Sequence, residues 1–195
     1  TTDEHTAVVR IENAHTNITY VSVDGNVISE TINEIKEAES STCPMTFDSI
    51  YEFAKAGDIS GILASIKQQV EYNTAISNEG LSNDYGANIG RLLLLDDETP
   101  SLETKCKARA AAGSDARMSG CPLPVVICSG SGNQGLTVSM PIITTAEELD
   151  KTDEELYRSL VFANLLTLYV KSGIGKLSAY CGVVSAGIVS VAGIA

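Results

Sequence analysis

Tryptophan is absent from this chain of 195 residues, and aromatic side chains make up only 5% of it. Basic residues are also scarce, since 13 lysines and arginines face 25 aspartates and glutamates, and no basic tract occurs. We therefore expect no nucleic-acid partner, because phosphate binding needs a basic face. The net charge of −12 indicates a well-solvated acidic surface.

The first residues contain neither a basic region nor an apolar stretch, so we expect no secretory leader. Residues 177–195 carry no charge and just reach the length of a membrane-spanning helix. Their glycine, alanine and serine content favours a buried, closely packed helix, so we expect no membrane partner. Because this helix lacks a cap and a polar tail, we expect the natural protein to continue beyond it.

The five cysteines form no C-x-x-C pair and no dense framework. An odd, scattered set of this kind is typical of free thiols in a reducing compartment. Its spacing matches no zinc site. We therefore expect a cytoplasmic protein. Spacing alone does not identify any of the five cysteines as a functional residue.

The order of elements predicts an α+β fold. β-rich runs cover residues 6–12 and 16–23, and Asp24-Gly25 supplies the tight turn of a hairpin. Two or three strands bury too little surface to form a complete domain. We expect a short β-hairpin or sheet portion within residues 1–42, followed by a mainly helical domain over 43–195.

Caps and apolar spacing locate the helices. Thr46 and Thr152 are predicted amino-terminal caps, and Gly57 and Gly80 are predicted stops. Glycine, serine and proline make residues 108–145 look irregular, which predicts that the helical region surrounds a Gly/Ser-rich loop. The predicted helices cover residues 46–57, 58–80 and 89–95, with one more after Thr152 and the uncharged one at 177–195.

The most informative segment is CSGSGNQG at residues 128–135. It satisfies G-x-G-x-x-G, but the dinucleotide-binding pattern also needs a helix that opens at the last glycine. The following residues are β-branched and interrupted by Pro141, so we expect no such helix. We favour a compact loop in which backbone N–H groups and side-chain donors converge on a carboxylate or another small anion. The side-chain donors are Ser129, Ser131, Asn133 and Gln134.

A lone arginine, Arg117, follows a run of small residues that includes Ser114. Arg117 suits a bidentate carboxylate clamp, and it suits equally well a salt bridge to one of the abundant acids. A clamp predicts that Arg117 approaches residues 129–135 closely enough for one carboxylate to bridge them.

His15 lies between the two β-rich runs, in the sequence NAHTN. A lone histidine in a polar turn is more often a structural hydrogen-bonding residue than a catalytic base. We retain His15 as the first candidate for the base, and we include the neighbouring Asn17 in the substrate-binding set.

Five segments together resemble the bacterial and archaeal L-cysteine desulfidases, which belong with the iron–sulfur L-serine dehydratases in the serine dehydratase alpha-chain superfamily. They keep the family's order and cover nearly the whole chain from the hairpin onward. These segments are ENAHTNI (12–18), NEGL (78–81), SDARMSG (114–120), SGSGNQGLTVSMPI (129–142) and GKLSAYCG (175–182).

The resemblance implies an amino-acid lyase that works without pyridoxal phosphate. Such enzymes bind a 4Fe–4S cluster through three cysteines, and the open iron acts as a Lewis acid while a base removes the α-proton. The products are pyruvate and ammonia, with sulfide from L-cysteine. Cys181 matches the family's LSAxCG cysteine, so the resemblance implies a cluster-ligand role for it alone.

The chain departs from the family pattern at both ends. The Gly-Cys-Thr-Glu-Pro-like motif and the C-terminal cysteine motif are absent, so at most one of three cluster ligands is present. We therefore expect a fragment of a lyase that neither binds the cluster nor turns over substrate alone. The alternative is a non-catalytic binding module for a small anionic metabolite. A small amino acid is the expected partner, and homo-oligomerisation is left open.

Overall fold

A computed structural model describes residues 2, 4–12, 17–31, 45–96, 98–174 and 180–195. Within them, three strands precede seven helices, which confirms the predicted α+β fold. The strands belong to one compact unit, whereas residues 45–173 and 180–195 belong to a second. No helix among the described residues has the length and apolar composition needed to cross a membrane.

The strands form an antiparallel sheet in the order β1 (Ala7–Ile11), β2 (Ile18–Val23) and β3 (Asn26–Glu30). Asp24 and Gly25 both have positive φ, at 50° and 78°, and make the predicted turn between β2 and β3. The Asp24 carboxylate accepts hydrogen bonds from the Thr6 N–H at 2.7 Å and from His5 Nδ1 at 2.8 Å. Both hydrogen bonds hold the pKa of Asp24 below its ordinary value.

Side-chain caps start several of the helices among the described residues, which are α1 (Phe47–Ala56), α2 (Leu63–Ser82), α3 (Ile89–Leu95), α4 (Leu102–Met118), α5 (Gly132–Glu148), α6 (Asp153–Ile174) and α7 (Gly182–Ile194). Thr46 and Ser49 form a reciprocal capping box at the start of α1, and Thr152 with Glu155 forms the same arrangement before α6. Ser101 caps α4, which the sequence did not predict.

Glycines let α2, α3 and α4 approach one another closely. An added Cβ at Gly80 would lie within 3.0 Å of the Ala112 carbonyl, a separation that real Cβ atoms essentially never show. Gly90 of α3 is pressed in the same way against Ala108 and Ala112. The predicted stop at Gly80 is therefore wrong: this glycine lies inside α2, where it serves backbone packing.

α5 is the central helix of the second unit. It packs against α2, α4 and α7, and twelve of its 17 residues are buried. The predicted irregular region at 108–145 is thus wrong, because it contains the end of α4 and most of α5. Burial on nearly every face offsets the weak helix propensity of the β-branched run.

α7 is only partly the buried helix that was predicted. Ala186, Val189 and Ser190 face the core, but Val184 and Ile188 are 61% and 69% exposed. The first residues of the predicted helix, 177–179, lie outside the described residues.

Candidate functional site

A tight turn precedes α5. The backbone groups of Cys128 and Ser131 exchange two hydrogen bonds of 3.1 Å each, and Ser129 and Gly130 between them have φ values of 51° and 81°. Positive φ at both central positions is the pattern of a type I′ turn. A non-glycine residue rarely adopts this conformation, so the turn places Ser129 under local backbone strain.

α5 begins at Gly132, directly after this turn, so the compact loop expected over residues 129–135 is wrong beyond Ser131, where a helix takes its place. The Ser131 hydroxyl oxygen caps the helix by accepting a hydrogen bond from the Gln134 N–H at 3.4 Å. This helix does not support a dinucleotide-binding site. Among the described residues only an isolated bridge joins Cys128 to Ser131, and no parallel strand pair surrounds α5.

Arg117 lies against the amino end of α5, as the clamp hypothesis predicted. One of its terminal nitrogens, Nη1, donates a hydrogen bond to Asn133 Oδ1 at 3.1 Å. A Cβ added to Gly132 would lie only 2.8 Å from Arg117 Cδ and 2.9 Å from its Cζ, so this glycine makes room for the guanidinium group. No carboxylate among the described residues forms an ion pair with Arg117, so the salt-bridge alternative is not realised there.

Ser114 precedes Arg117 by three residues on α4 and therefore lies on nearly the same helix face. Its side chain is half-buried. The neighbouring acid, Asp115, points elsewhere, because its carboxylate accepts a hydrogen bond from the Ile89 N–H at 3.0 Å. The arginine charge is thus left available next to a small hydroxyl side chain.

Gln134 lies between the amino ends of two helices. It is 7% exposed, and its Oε1 is buried without a hydrogen-bond donor among the described residues. A Cβ at Gly182, the first residue of α7, would lie 2.8 Å from this oxygen. The Ser131 N–H is already bonded to Cys128, so Gln134 cannot fold back on it as in a capping box. The carboxamide therefore extends toward α7.

Cys181 is the amino-terminal cap residue of α7, next to Gly182, and its side chain is exposed. Cys181 thus lies one residue from the contact between Gly182 and Gln134, and it is not inside a buried helix. Cys128 differs, because it is 4% exposed and burial raises the pKa of its thiol. Cys43 lies outside the described residues.

The described residues do not by themselves form a cluster site. They contain no group of three histidine, cysteine or acidic side chains that could hold a metal ion. Of the described cysteines, Cys181 is exposed, whereas Cys128 is buried against the helical core. The donor set present therefore fits at most one ligand of a three-cysteine cluster.

The remaining predicted site residues belong to the strand unit or lie outside the described residues. Asn17 precedes β2, where its side chain donates a hydrogen bond to the Glu12 carbonyl at 2.8 Å. His15 lies outside the described residues, so its role as the base stays a prediction.

Sequence reasoning missed two features of the site, Gly182 and the start of α5. The signal for α5 was present, because Ser131 and Gln134 match the S-x-x-Q pattern of a helix start. The prediction rested instead on Pro141 and the β-branched run, yet Pro141 is accommodated inside α5. Nothing in the sequence near Gly182 indicated contact with Gln134, since the two are 48 positions apart.

Fold and site together define an α+β protein with a polar, donor-rich site at the amino end of a buried helix. The chain belongs to the serine dehydratase alpha chain family, whose sequence profile matches residues 20–195. Membership of this family suggests a serine dehydratase-like subunit. No solved structure matches the chain.

Similar curated proteins include several named UPF0597 proteins. One from Desulfitobacterium hafniense is 47% identical over 96% of this chain and 44% of its own length. One from Lachnoclostridium phytofermentans is 46% identical over 98% of this chain and 46% of its own length. The chain thus spans somewhat less than half the length of these relatives, and their names state neither a reaction nor a substrate.

Proposed function

We propose that this chain supplies the amino-acid-binding part of a serine dehydratase-like lyase that acts on L-serine or L-cysteine by α,β-elimination. The products are pyruvate and ammonia, together with sulfide when the substrate is cysteine. The observation that carries the proposal is the Arg117 guanidinium group, which lies at the amino end of α5 without a carboxylate partner among the described residues.

The substrate carboxylate is the anion that this arrangement suits. Arg117 provides a full positive charge, and the first-turn N–H groups of Gly132 and Asn133 have no acceptor within the helix. Asn133 is neutral, so its hydrogen bond orients the guanidinium group without cancelling the charge. A carboxylate between these groups receives charge-assisted and backbone hydrogen bonds together.

The α-ammonium group of an amino acid needs acceptors close to the carboxylate donors. Gln134 Oε1 is a buried acceptor that lacks a donor among the described residues, and leaving such an atom unpaired costs about 1–3 kcal/mol. Ser131 accepts at its oxygen but still has a hydroxyl hydrogen to donate. With Ser114 and Ser129, these groups supply both kinds of partner that a zwitterion requires.

The catalytic parts of the proposal lie partly outside the described residues. His15 is proposed as the base that removes the α-proton, and Asn17 as a substrate contact. Cys181 is proposed as one ligand of a 4Fe–4S cluster in the full-length protein, with the other ligands supplied from elsewhere. When bound, such a cluster offers an open iron that polarises the departing β-substituent. A cytoplasmic location agrees with free thiols and an amino-acid substrate.

Binding of L-serine to this chain, measured by calorimetry, tests the substrate site. We expect Arg117→Gln to weaken binding about tenfold or more, because a charge-assisted hydrogen bond contributes roughly 1.5–3 kcal/mol. Arg91→Gln is the matched control, since Arg91 is a partly exposed arginine of the same unit that pairs with Asp84. Equal affinity of the two variants would contradict the assignment of Arg117.

Turnover tests the reaction itself. The full-length protein, reconstituted anaerobically with iron and sulfide, should release pyruvate from L-serine or pyruvate and sulfide from L-cysteine. Cys181→Ser should abolish cluster absorbance and activity together, whereas Cys106→Ser should leave both largely intact. Binding of L-serine without any pyruvate would favour the alternative, a non-catalytic module for a small anionic metabolite.

A further inference from the structure

A completely buried amide on α2 is bonded to the segment that leads into the site. Asn73 is 0% exposed. Its Oδ1 accepts the Val126 N–H at 2.8 Å, and its Nδ2 donates to the Val126 carbonyl at 3.3 Å. One side chain thus pairs both backbone polar groups of a single residue, as a neighbouring β-strand would do. The residues before the turn pair with no strand among the described residues, so the Asn73 side chain supplies these two hydrogen bonds instead.

The same carboxamide has a second branch that reaches α5. Asn73 Nδ2 also donates to Ser139 Oγ at 2.9 Å, and Ser139 Oγ donates to the Gly135 carbonyl at 2.7 Å. Gly135 is the fourth residue of α5 and therefore closes its first turn.

Gly135 contacts both groups that Asn73 binds, Ser139 of α5 and the Val126 segment. A Cβ at this position would lie 3.1 Å from Ile127 Cα and closer still to the Val126 carbonyl oxygen, so the α5 backbone rests directly on the segment that Asn73 holds. Val126 is two residues before Cys128, where the turn begins. Asn73 consequently connects α2 both to the approach to the turn and to the first turn of α5.

We propose that Asn73 is a positioning residue of the candidate site: by fixing Val126 and Ser139, it sets where the turn at 128–131 and the first-turn N–H groups of α5 lie. It touches no proposed substrate contact itself. The ligand used in the test, L-serine, rests on the proposed function, but the positioning role does not.

α2 provides a control of the same chemistry. Gln69, one turn before Asn73, is 2% exposed and exchanges amide hydrogen bonds of 3.2 Å and 2.7 Å with Asn164 of α6. This pair is also a buried amide arrangement, but its partner does not lead into the site. Gln69→Leu and Asn73→Leu therefore both remove buried amide hydrogen bonds from the same helix.

The experiment compares the two variants by urea unfolding, by L-serine affinity and by amide hydrogen exchange of residues 128–135. Both should lose stability, since each leaves buried polar partners unpaired. Only Asn73→Leu should weaken L-serine binding, by about tenfold, and speed exchange in residues 128–135 by a similar factor. Ser139→Ala, which removes one branch, should give the same pattern to a smaller extent.

Other outcomes of this experiment would overturn either the positioning role of Asn73 or the substrate proposal. Unchanged exchange at residues 128–135 in a folded Asn73→Leu protein overturns the positioning role, as does an equal effect of Gln69→Leu. If Asn73→Leu does not fold, unchanged exchange in Ser139→Ala overturns it. If the unmodified chain does not bind L-serine, the substrate proposal fails, and the exchange comparison still decides the role of Asn73.

Discussion

Replacing Gly80 with alanine separates backbone packing from helix propensity. In an open helix interior this change stabilises by roughly 1 kcal/mol, because glycine is the weaker helix former. At Gly80 the new Cβ would overlap the Ala112 carbonyl of α4, which is backbone and cannot rotate away. Overpacking of this kind costs about 1–3 kcal/mol, and an overlap with backbone belongs at the upper end.

We therefore expect Gly80→Ala to lower the free energy of unfolding by about 2 kcal/mol, which corresponds to a Tm about 4–8 °C lower for a chain of this size. Urea unfolding followed by circular dichroism measures the change, and an unchanged m-value shows that stability alone is affected.

Gly187→Ala is the matched control. Gly187 also lies inside a helix, α7, but its nearest neighbour for a Cβ is Thr137 Cγ2 at 3.8 Å, which is ordinary contact. This variant should be more stable than the unmodified chain by roughly 0.5–1 kcal/mol. If Gly80→Ala stabilises as Gly187→Ala does, the close approach of α2 and α4 is refuted.

Two further predictions concern titration and thiol reactivity. Hydrogen bonds from the Thr152 backbone and hydroxyl groups, together with Lys151, lower the pKa of Glu155 to about 2. Ionised Glu155 therefore contributes fully to the free energy of unfolding above the unfolded pKa of about 4.3, and this contribution is lost as the pH falls toward 2. The difference in urea midpoint between the unmodified chain and Glu155→Gln should accordingly shrink between pH 6 and pH 2.5, and a constant difference would contradict this. Iodoacetamide should label Cys181 at least about tenfold faster than Cys128, because Cys181 is exposed while burial raises the pKa of Cys128. Peptide mass spectrometry measures both labelling rates. Equal rates would refute the difference in exposure between the two thiols.

Local signals were sufficient for the elements that start with a side-chain cap or a tight turn. Thr46 and Thr152 each bond backbone N–H groups within the next three residues, and Asp24-Gly25 can adopt the positive φ of a hairpin turn. These interactions span a few residues and need no distant partner. The hairpin, α1 and the start of α6 were therefore predictable.

The helices that carry the site were missed because their sequences look unfavourable in isolation. Gly113 and Pro141 are ordinarily read as helix breakers, yet here Gly113 packs against Leu136 and Pro141 lies in a helix buried on nearly all sides. Tertiary burial outweighs local propensity in such a place. The approach of Arg117 followed from the carboxylate-clamp hypothesis, but the direction of the Gln134 side chain depends on the turn at Cys128 and could not be predicted.

The burial of α5 also bears on how the site changes when a ligand arrives. Helices on several sides enclose α5, so its first-turn N–H groups cannot fray independently of the surrounding bundle. Their directions are fixed before binding, and a ligand loses little affinity to the ordering of its receptor. The site should therefore bind its ligand as a preformed receptor. Association should be fast, and the affinity should be governed by the dissociation rate.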